Sequence, residues 1–195
     1  MKRLLDLILS GIALIVLSPL LLVLGAAVAC SSPGGALYRQ IRIGRSGTPF
    51  TLLKFRSMRV HTHGAAITLG ESDPRITKIG GILRTYKLDE LPQLWNVFAG
   101  DMSIVGPRPE VPKYVALYTD EMRKVLDVRP GLTDPASILG FDEGARLQEA
   151  ADPEALYRNE ILPEKVALQL DYLRTATLGS DIRVIARTLF RIFKR

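Results

Sequence analysis

Two adjacent carboxylates, Asp89 and Glu90, stand at an expected helix start, Leu88-Asp89-Glu90-Leu91-Pro92. Such a start offers free N–H groups and a positive dipole end, which favour anions and phosphate. Acidic residues also cap first turns, so the pair alone does not decide between capping and chemistry. Basic residues supply the rest of the pattern: Lys54, Arg56, Arg84, Lys87 and Arg108. The planar arginine fork matches phosphate oxygens. Carboxylates among arginines suit a divalent cation held against a diphosphate. Each arginine taken singly is more often a surface charge or an ion-pair partner.

Other chemistries find little support. His61 and His63 form an H-x-H in a polar loop, with no third ligand close in sequence, and read as solvent-exposed. A lone cysteine, Cys30, excludes an internal disulfide framework, and with two histidines leaves too few ligands for a structural zinc site. Neither G-x-x-x-x-G-K-[ST] nor G-x-G-x-x-G occurs. The net charge of +6 and pI near 9.6 suit nucleic acid, anionic lipid or a phosphorylated substrate, or merely a solvated basic surface. No nucleic-acid-binding motif is present.

The 195 residues fit one domain, and the elements that must position the charged groups begin with an apolar stretch. No charged residue occurs from Leu7 to Leu37. The run exceeds the roughly 20 residues of a spanning helix. It reads as a spanning helix, as a signal peptide with a loose lipobox at Ala27-Val28-Ala29-Cys30, or as a re-entrant hairpin broken at Ser18-Pro19. Proline removes a helical hydrogen bond, and serine can satisfy the freed group. Lys2 and Arg3 precede the run, and Arg39, Arg42 and Arg45 follow it. The positive-inside rule then favours both ends on one side, as in the hairpin.

Beyond Ser31-Ser32-Pro33-Gly34-Gly35, two extended runs around a turn at Arg45 to Pro49 predict a β-hairpin. Helices are expected over Arg75–Thr85, from near Leu88 to Gly100, over Val111–Leu126 and over Pro153–Arg174, with a break at Pro163. The stretch Asp181–Arg195 places Ile182, Ile185, Leu189, Ile192 and Phe193 at helical spacing beside basic residues. That is the pattern of an interfacial membrane helix, or of a helix packed on the domain with a basic outer face.

Four blocks together resemble the bacterial sugar transferase family, the monotopic phosphoglycosyl transferases. They are Lys54-Phe55-Arg56-Ser57-Met58, the run Leu83 to Val97, the run Gly100 to Pro109, and Arg129-Pro130-Gly131-Leu132-Thr133. The resemblance covers nearly the whole chain and looks like the family's minimal form. It implies an α+β, mainly helical fold. Residues 1–30 would form a re-entrant membrane helix broken at Ser18-Pro19. Residues 31–195 would form a cytosolic, membrane-associated catalytic domain with a small β-hairpin and amphipathic interfacial helices.

The implied reaction moves a sugar phosphate from a UDP-sugar to polyprenyl (undecaprenyl) phosphate and releases UMP. Asp89 would be the nucleophile and carry the phosphosugar. Glu90 would assist through Mg²⁺ or acid–base work, so Asp89 and Glu90 are also the expected metal ligands. Pro107-Arg108-Pro109 would hold the donor, with Arg84, Lys54 and Arg56 as weaker candidates. Implied partners are the UDP-sugar, the polyprenyl phosphate and membrane lipid, at the cytoplasmic face of the bacterial inner membrane. Nucleic acid is not among them, and a homodimer stays open. Asp134-Pro135-Ala136-Ser137 stands where relatives often differ, so no sugar is transferred from them. The rival reading is a membrane-tethered scaffold that has kept the fold and lost catalysis.

Overall fold

In a computed structural model, residues 1–59, 73–134 and 143–193 are described. His61 and His63, and positions 135–137 of the segment above, lie outside them. The chain is mainly helical with two small sheets.

Helix α1 (Lys2–Val16) and helix α2 (Ser18–Ser31) are joined at Leu17 and bent by 64°. Pro19 cannot donate to the carbonyl of Ile15, four residues back. The Ser18 hydroxyl donates to that carbonyl instead, at 2.8 Å. No single helix among the described residues is long and apolar enough to cross a membrane. Helix α1 is inverted relative to a helix in water. Asp6 (4% exposed) and Ser10 (0%) face inward, while Leu4, Ile12 and Ile15 (76%) face outward. A water-facing helix does the opposite.

Polar contacts dock both ends of this pair. At the first end, Lys2 pairs with Asp181 at 2.6 Å. Arg3 donates to the carbonyls of Val97 and Phe98 at 2.6 and 2.8 Å. Asp6 Oδ1 accepts from the Ile104 N–H at 3.0 Å. At the other end, the Arg56 guanidinium donates to the carbonyls of Ser32 (2.6 Å), Gly35 (2.8 Å), Val28 (3.3 Å) and Pro33. The Val28 carbonyl is one that the helix leaves unsatisfied in its last turn, those of Ser32, Pro33 and Gly35 follow it, and a charged donor is a strong partner for them.

The expected hairpin forms from β1 (Leu37–Ile43) and β2 (Pro49–Phe55), antiparallel, with Tyr38 opposite Lys54 and Arg42 opposite Phe50. Its turn takes Ser46 and Gly47 through positive φ. Helix α3 (Lys78–Thr85) starts later than Arg75, because Thr77 caps it and accepts from the Gly80 N–H at 2.9 Å. Gly80 lies against the Ser57 backbone so closely that a Cβ there would meet Ser57 O at 2.0 Å. The block ending in Ser57-Met58 is thereby fixed to α3. A 3₁₀ turn, Leu88–Glu90, leads into α4 (Gln93–Ala99), which ends at Gly100 with φ 105°.

Strand β3 (Ser103–Val105) pairs in parallel with β4 (Gly131–Thr133), a pairing the sequence reading lacked. Two motif glycines cross there: a Cβ on Gly131 would lie 2.2 Å from Gly106 N. Gly106 N–H donates to Thr133 O, and Gly131 N–H to Pro107 O.

The single helix expected over Val111–Leu126 is a correction. It is divided into α5 (Pro112–Val115), α6 (Asp120–Arg123) and a 3₁₀ turn (Lys124–Asp127). Thr119 is extended, and its hydroxyl accepts from the Met122 N–H, so it starts a new helix instead of continuing the old one. Helix α7 (Glu143–Glu149) and helix α8 (Pro153–Leu156) follow. Pro163 does not break the next helix. A π-helical turn, Tyr157–Ile161, carries the chain into α9 (Leu162–Thr175), with Pro163 in its first turn. Helix α10 (Leu178–Phe193) begins three residues earlier than expected and leaves Ile182, Leu189 and Phe190 exposed.

Candidate active site

The hairpin, the 3₁₀ turn and the loop after β3 bring Lys54, Asp89, Glu90 and Arg108 together. Lys54 is near the end of β2 and donates to Glu90 Oε1 at 3.2 Å. Arg108 donates to the same oxygen through Nη2 and to the Leu132 carbonyl at 3.4 Å. Burial opposes the charge on Glu90, but Arg108 and Lys54 together outweigh it and hold its carboxyl well below the usual range. Burial also pushes the Lys54 ammonium down, only partly offset by Glu90.

Asp89 is treated in the opposite way. It is buried, and its Oδ1 has no hydrogen-bond partner. Burial pushes its carboxyl up, Lys54 only partly counters this, and the charge of Glu90 adds to the rise. Arg84 and Lys87 are near enough to oppose the shift, without a hydrogen bond to Asp89. Lys87, just before the turn, has φ 57°, a left-handed backbone uncommon for a residue with a side chain. Two neighbouring carboxylates thus differ sharply: one doubly paired with cations, the other buried and unpaired. Environments that divide a carboxylate pair in this way assign them different tasks.

Pro107 and Pro109 are both buried and hold the loop through their carbonyls. The Pro107 carbonyl accepts from Gly131 N–H, and the Pro109 carbonyl accepts from Arg42 Nη1 at 2.9 Å. Arg56, also expected as a substrate-binding residue, is engaged within the protein. It is buried, and its guanidinium clamps the end of α2 through four carbonyls. Ser18 and Pro19 lie at the bend of the helix pair, apart from this cluster.

Sequence reasoning missed Glu110, which follows the Pro-Arg-Pro run directly. It is buried and accepts from Val111 N–H (2.8 Å), Arg42 Nη1 (3.2 Å) and the Tyr157 hydroxyl. Lys165 stands 3.5 Å from Oε2, the oxygen that the Tyr157 hydroxyl also meets. One carboxylate therefore links the hairpin, the Arg108 loop, the π-helical turn and α9. Burial opposes its charge, but Lys165 and Arg42 outweigh it and lower its pKa. The only sequence signal was the alternation that puts Arg42 on the same hairpin face as Lys54. Asp134, from the segment of open role, is buried and accepts from Gln169 Nε2 at 3.0 Å.

Because the folded pKa of Glu110 lies below its ordinary value near 4.3, its contribution is complete above that pH. It is lost as pH falls through the folded value. Glu110→Gln should cost roughly 3 kcal/mol at neutral pH, since it removes the buried negative charge that faces Arg42. The gap to the parent should narrow as pH falls below about 4. Thermal unfolding of both proteins from pH 3 to 8 checks this; a pH-independent gap would contradict it.

Comparison with known proteins agrees with the site's blocks. Residues 1–195 match the family described as bacterial sugar transferase. A UDP-glucose:undecaprenyl-phosphate glucose-1-phosphate transferase of Caulobacter vibrioides is 36% identical over 96% of this chain and 68% of its own. One of the same name from Xanthomonas campestris is 40% identical over 98% of this chain and 38% of its own. An exopolysaccharide production protein of Rhizobium meliloti is 33% identical over 96% and 83%. The chain spans about two fifths of the length of the Xanthomonas protein and of further relatives of the same name. With the match running over its whole length, the chain belongs to the bacterial sugar transferase family, a family of enzymes.

Proposed function

We propose that the chain transfers a sugar phosphate from a UDP-sugar to polyprenyl phosphate through a covalent intermediate on Asp89. The observation that carries this reading is the asymmetry of the two carboxylates. A nucleophile needs lone pairs free of cations. Asp89 Oδ1 is unpartnered, while Glu90 is bound by Lys54 and Arg108. In the first step an Asp89 oxygen bonds to the β-phosphorus. The bond from that phosphorus to the bridging oxygen breaks, and the electron pair leaves with UMP. In the second step a phosphate oxygen of the lipid attacks the same phosphorus, and the Asp89 carboxylate leaves. Splitting the transfer gives two easier steps.

Glu90 tethers Lys54 and Arg108 beside the nucleophile, where their charge suits the donor's phosphates. The donor set also fits Mg²⁺. This ion typically takes one or two carboxylates plus substrate phosphates and water. Both cations fall on Glu90 Oε1, so Oε2 and the Asp89 oxygen not used in the attack would be the ligands. Bound Mg²⁺ would neutralise charge on the diphosphate.

The polar contacts at both ends of the helix pair support a re-entrant, monotopic placement on the cytoplasmic face. Lys2, Arg3 and Asp6 dock one end on residues 97–104 and 181, and Arg56 docks the other. Helix α1 has 15 residues, about 22 Å at 1.5 Å per residue, short of the roughly 30 Å hydrocarbon core. Its apolar outer side and polar inner side suit lipid. The exposed apolar side of α10, beside its arginines, suits the interface. Such a site meets a lipid phosphate and a cytosolic nucleotide without extracting the lipid.

UMP release in Mg²⁺ and lipid is the first check, with a panel of donors that begins with UDP-glucose, named in two relatives. Turnover should require polyprenyl phosphate, and Asp89→Asn should lower it at least about 10³-fold. Substantial turnover by Asp89→Asn contradicts the nucleophile. Folded protein that releases no UMP from any donor is the non-catalytic scaffold. For placement, single cysteines at positions 2 and 45, in a Cys30→Ser background, should label from the same side of the membrane. Labelling from opposite sides restores a spanning helix.

A further inference from the structure

Helix α4 carries two buried carboxamides three residues apart, and they are used differently. Asn96 is 2% exposed and fully engaged. Its Oδ1 accepts from Leu53 N–H at 3.0 Å, and its Nδ2 donates to Thr51 O at 2.8 Å and Asp101 Oδ2 at 3.1 Å. It fastens β2 to the end of the helix. Gln93 is 1% exposed, yet its Nε2 has no hydrogen-bond partner. A buried amide with a purely structural task finds partners, as Asn96 does, because an unpaired buried donor is costly.

Among the described residues three other buried side-chain atoms lack a partner, Asp89 Oδ1, Ser32 Oγ and Ser103 Oγ, and of these Asp89 stands four residues before Gln93 in sequence. Leu91 and Pro92 have right-handed helical backbones, so the run from Leu88 into α4 is continuous. Its backbone hydrogen bonds span three residues, Leu91 N–H to Leu88 O and Leu94 N–H to Leu91 O, so Asp89 and Gln93 lie a little over one turn apart along it. Asp89 and Gln93 therefore present an acceptor and a donor that are not bonded to each other. A glutamine whose task was to orient Asp89 would be paired with it. What complements both is a group with an electrophilic centre for the carboxylate and anionic oxygens for the amide. A phosphoryl group has that form.

We infer that Gln93 is a substrate-contacting residue whose Nε2 donates to a non-bridging oxygen of the phosphoryl group that Asp89 receives. The inference rests on Asp89 being the nucleophile. Gln93 exchanges no proton and keeps its charge. While the bond from Asp89 to phosphorus forms and the bond to UMP breaks, the amide holds one equatorial oxygen. Lys54 and Arg108 are tethered by Glu90, whereas Gln93 is neutral and has no protein partner to give up. A donor held in a dry site and aimed where charge develops needs no reorganisation.

The test uses Gln93→Met, which keeps length and burial and removes the donor. Its thermal midpoint should equal or exceed the parent's, because an unpaired buried amide gives way to an apolar side chain. Formation of the Asp89 phosphosugar from UDP-sugar, followed by rapid quench, should slow about 10²-fold. A lower midpoint with unchanged adduct formation makes Gln93 structural and overturns the inference. If both fall, donors with sulfur at one non-bridging β-oxygen decide. Sulfur should slow the parent and add little to Gln93→Met for one of the two isomers. An equal sulfur effect in both proteins, for both isomers, overturns the inference. Failure of the parent reading is separate. It shows as adduct that persists in Asp89→Asn or is absent from a parent that still releases UMP, and either result removes the Gln93 role as well.

Discussion

The site is organised around one oxygen, Glu90 Oε1, which accepts from both Lys54 and Arg108. Three segments distant in sequence meet there: the end of the hairpin, the turn before α4 and the loop after β3. Desolvating a carboxylate costs several kcal/mol, and two cations at hydrogen-bond range are what compensate it. With Glu90 committed to this task, Asp89 is left buried and unpaired beside it. The freedom of Asp89 is thus a consequence of its neighbour's constraint.

The supports of that oxygen are themselves buried and polar. Glu110 anchors Arg42 and, through Arg42, the Pro109 carbonyl, which fixes the loop that carries Arg108. The crossing of Gly106 and Gly131 admits no Cβ and sets the approach of the same loop to β4. From the far side, Asp6 of α1 accepts from Ile104 in β3, two residues before Gly106. The Asp6–Ile104 hydrogen bond therefore ties the inverted helix to the strand that leads into the Arg108 loop.

Much of this was legible in residue types and spacing. The hairpin followed from two extended runs around Arg45 to Pro49. The stop at Gly100 and the grouping of Lys54, Asp89, Glu90 and Arg108 followed from helix signals and from the family blocks. The bend at Ser18-Pro19 followed from proline's missing donor. What was not legible depended on partners far along the chain. Arg56 has the chemistry of a phosphate ligand, but its surroundings are the carbonyls of residues 28–35, more than twenty positions away. The β3–β4 pair is too short to show periodicity. Thr119 divides an otherwise helical stretch by a local cap that propensity alone does not weigh. Glu110 stood inside a quoted motif, but its role depends on Tyr157 and Lys165, which only the fold brings near.

The central claim is that Asp89 holds the phosphosugar between two transfers. The most direct measurement is the intact mass of protein in lipid, quenched within milliseconds of mixing with UDP-sugar and Mg²⁺ without acceptor, followed by peptide mapping. The account predicts one added sugar phosphate on the peptide that contains Asp89, lost when polyprenyl phosphate is supplied. UMP release in step with lipid product, with no adduct at any time point or with the adduct on another residue, would contradict it.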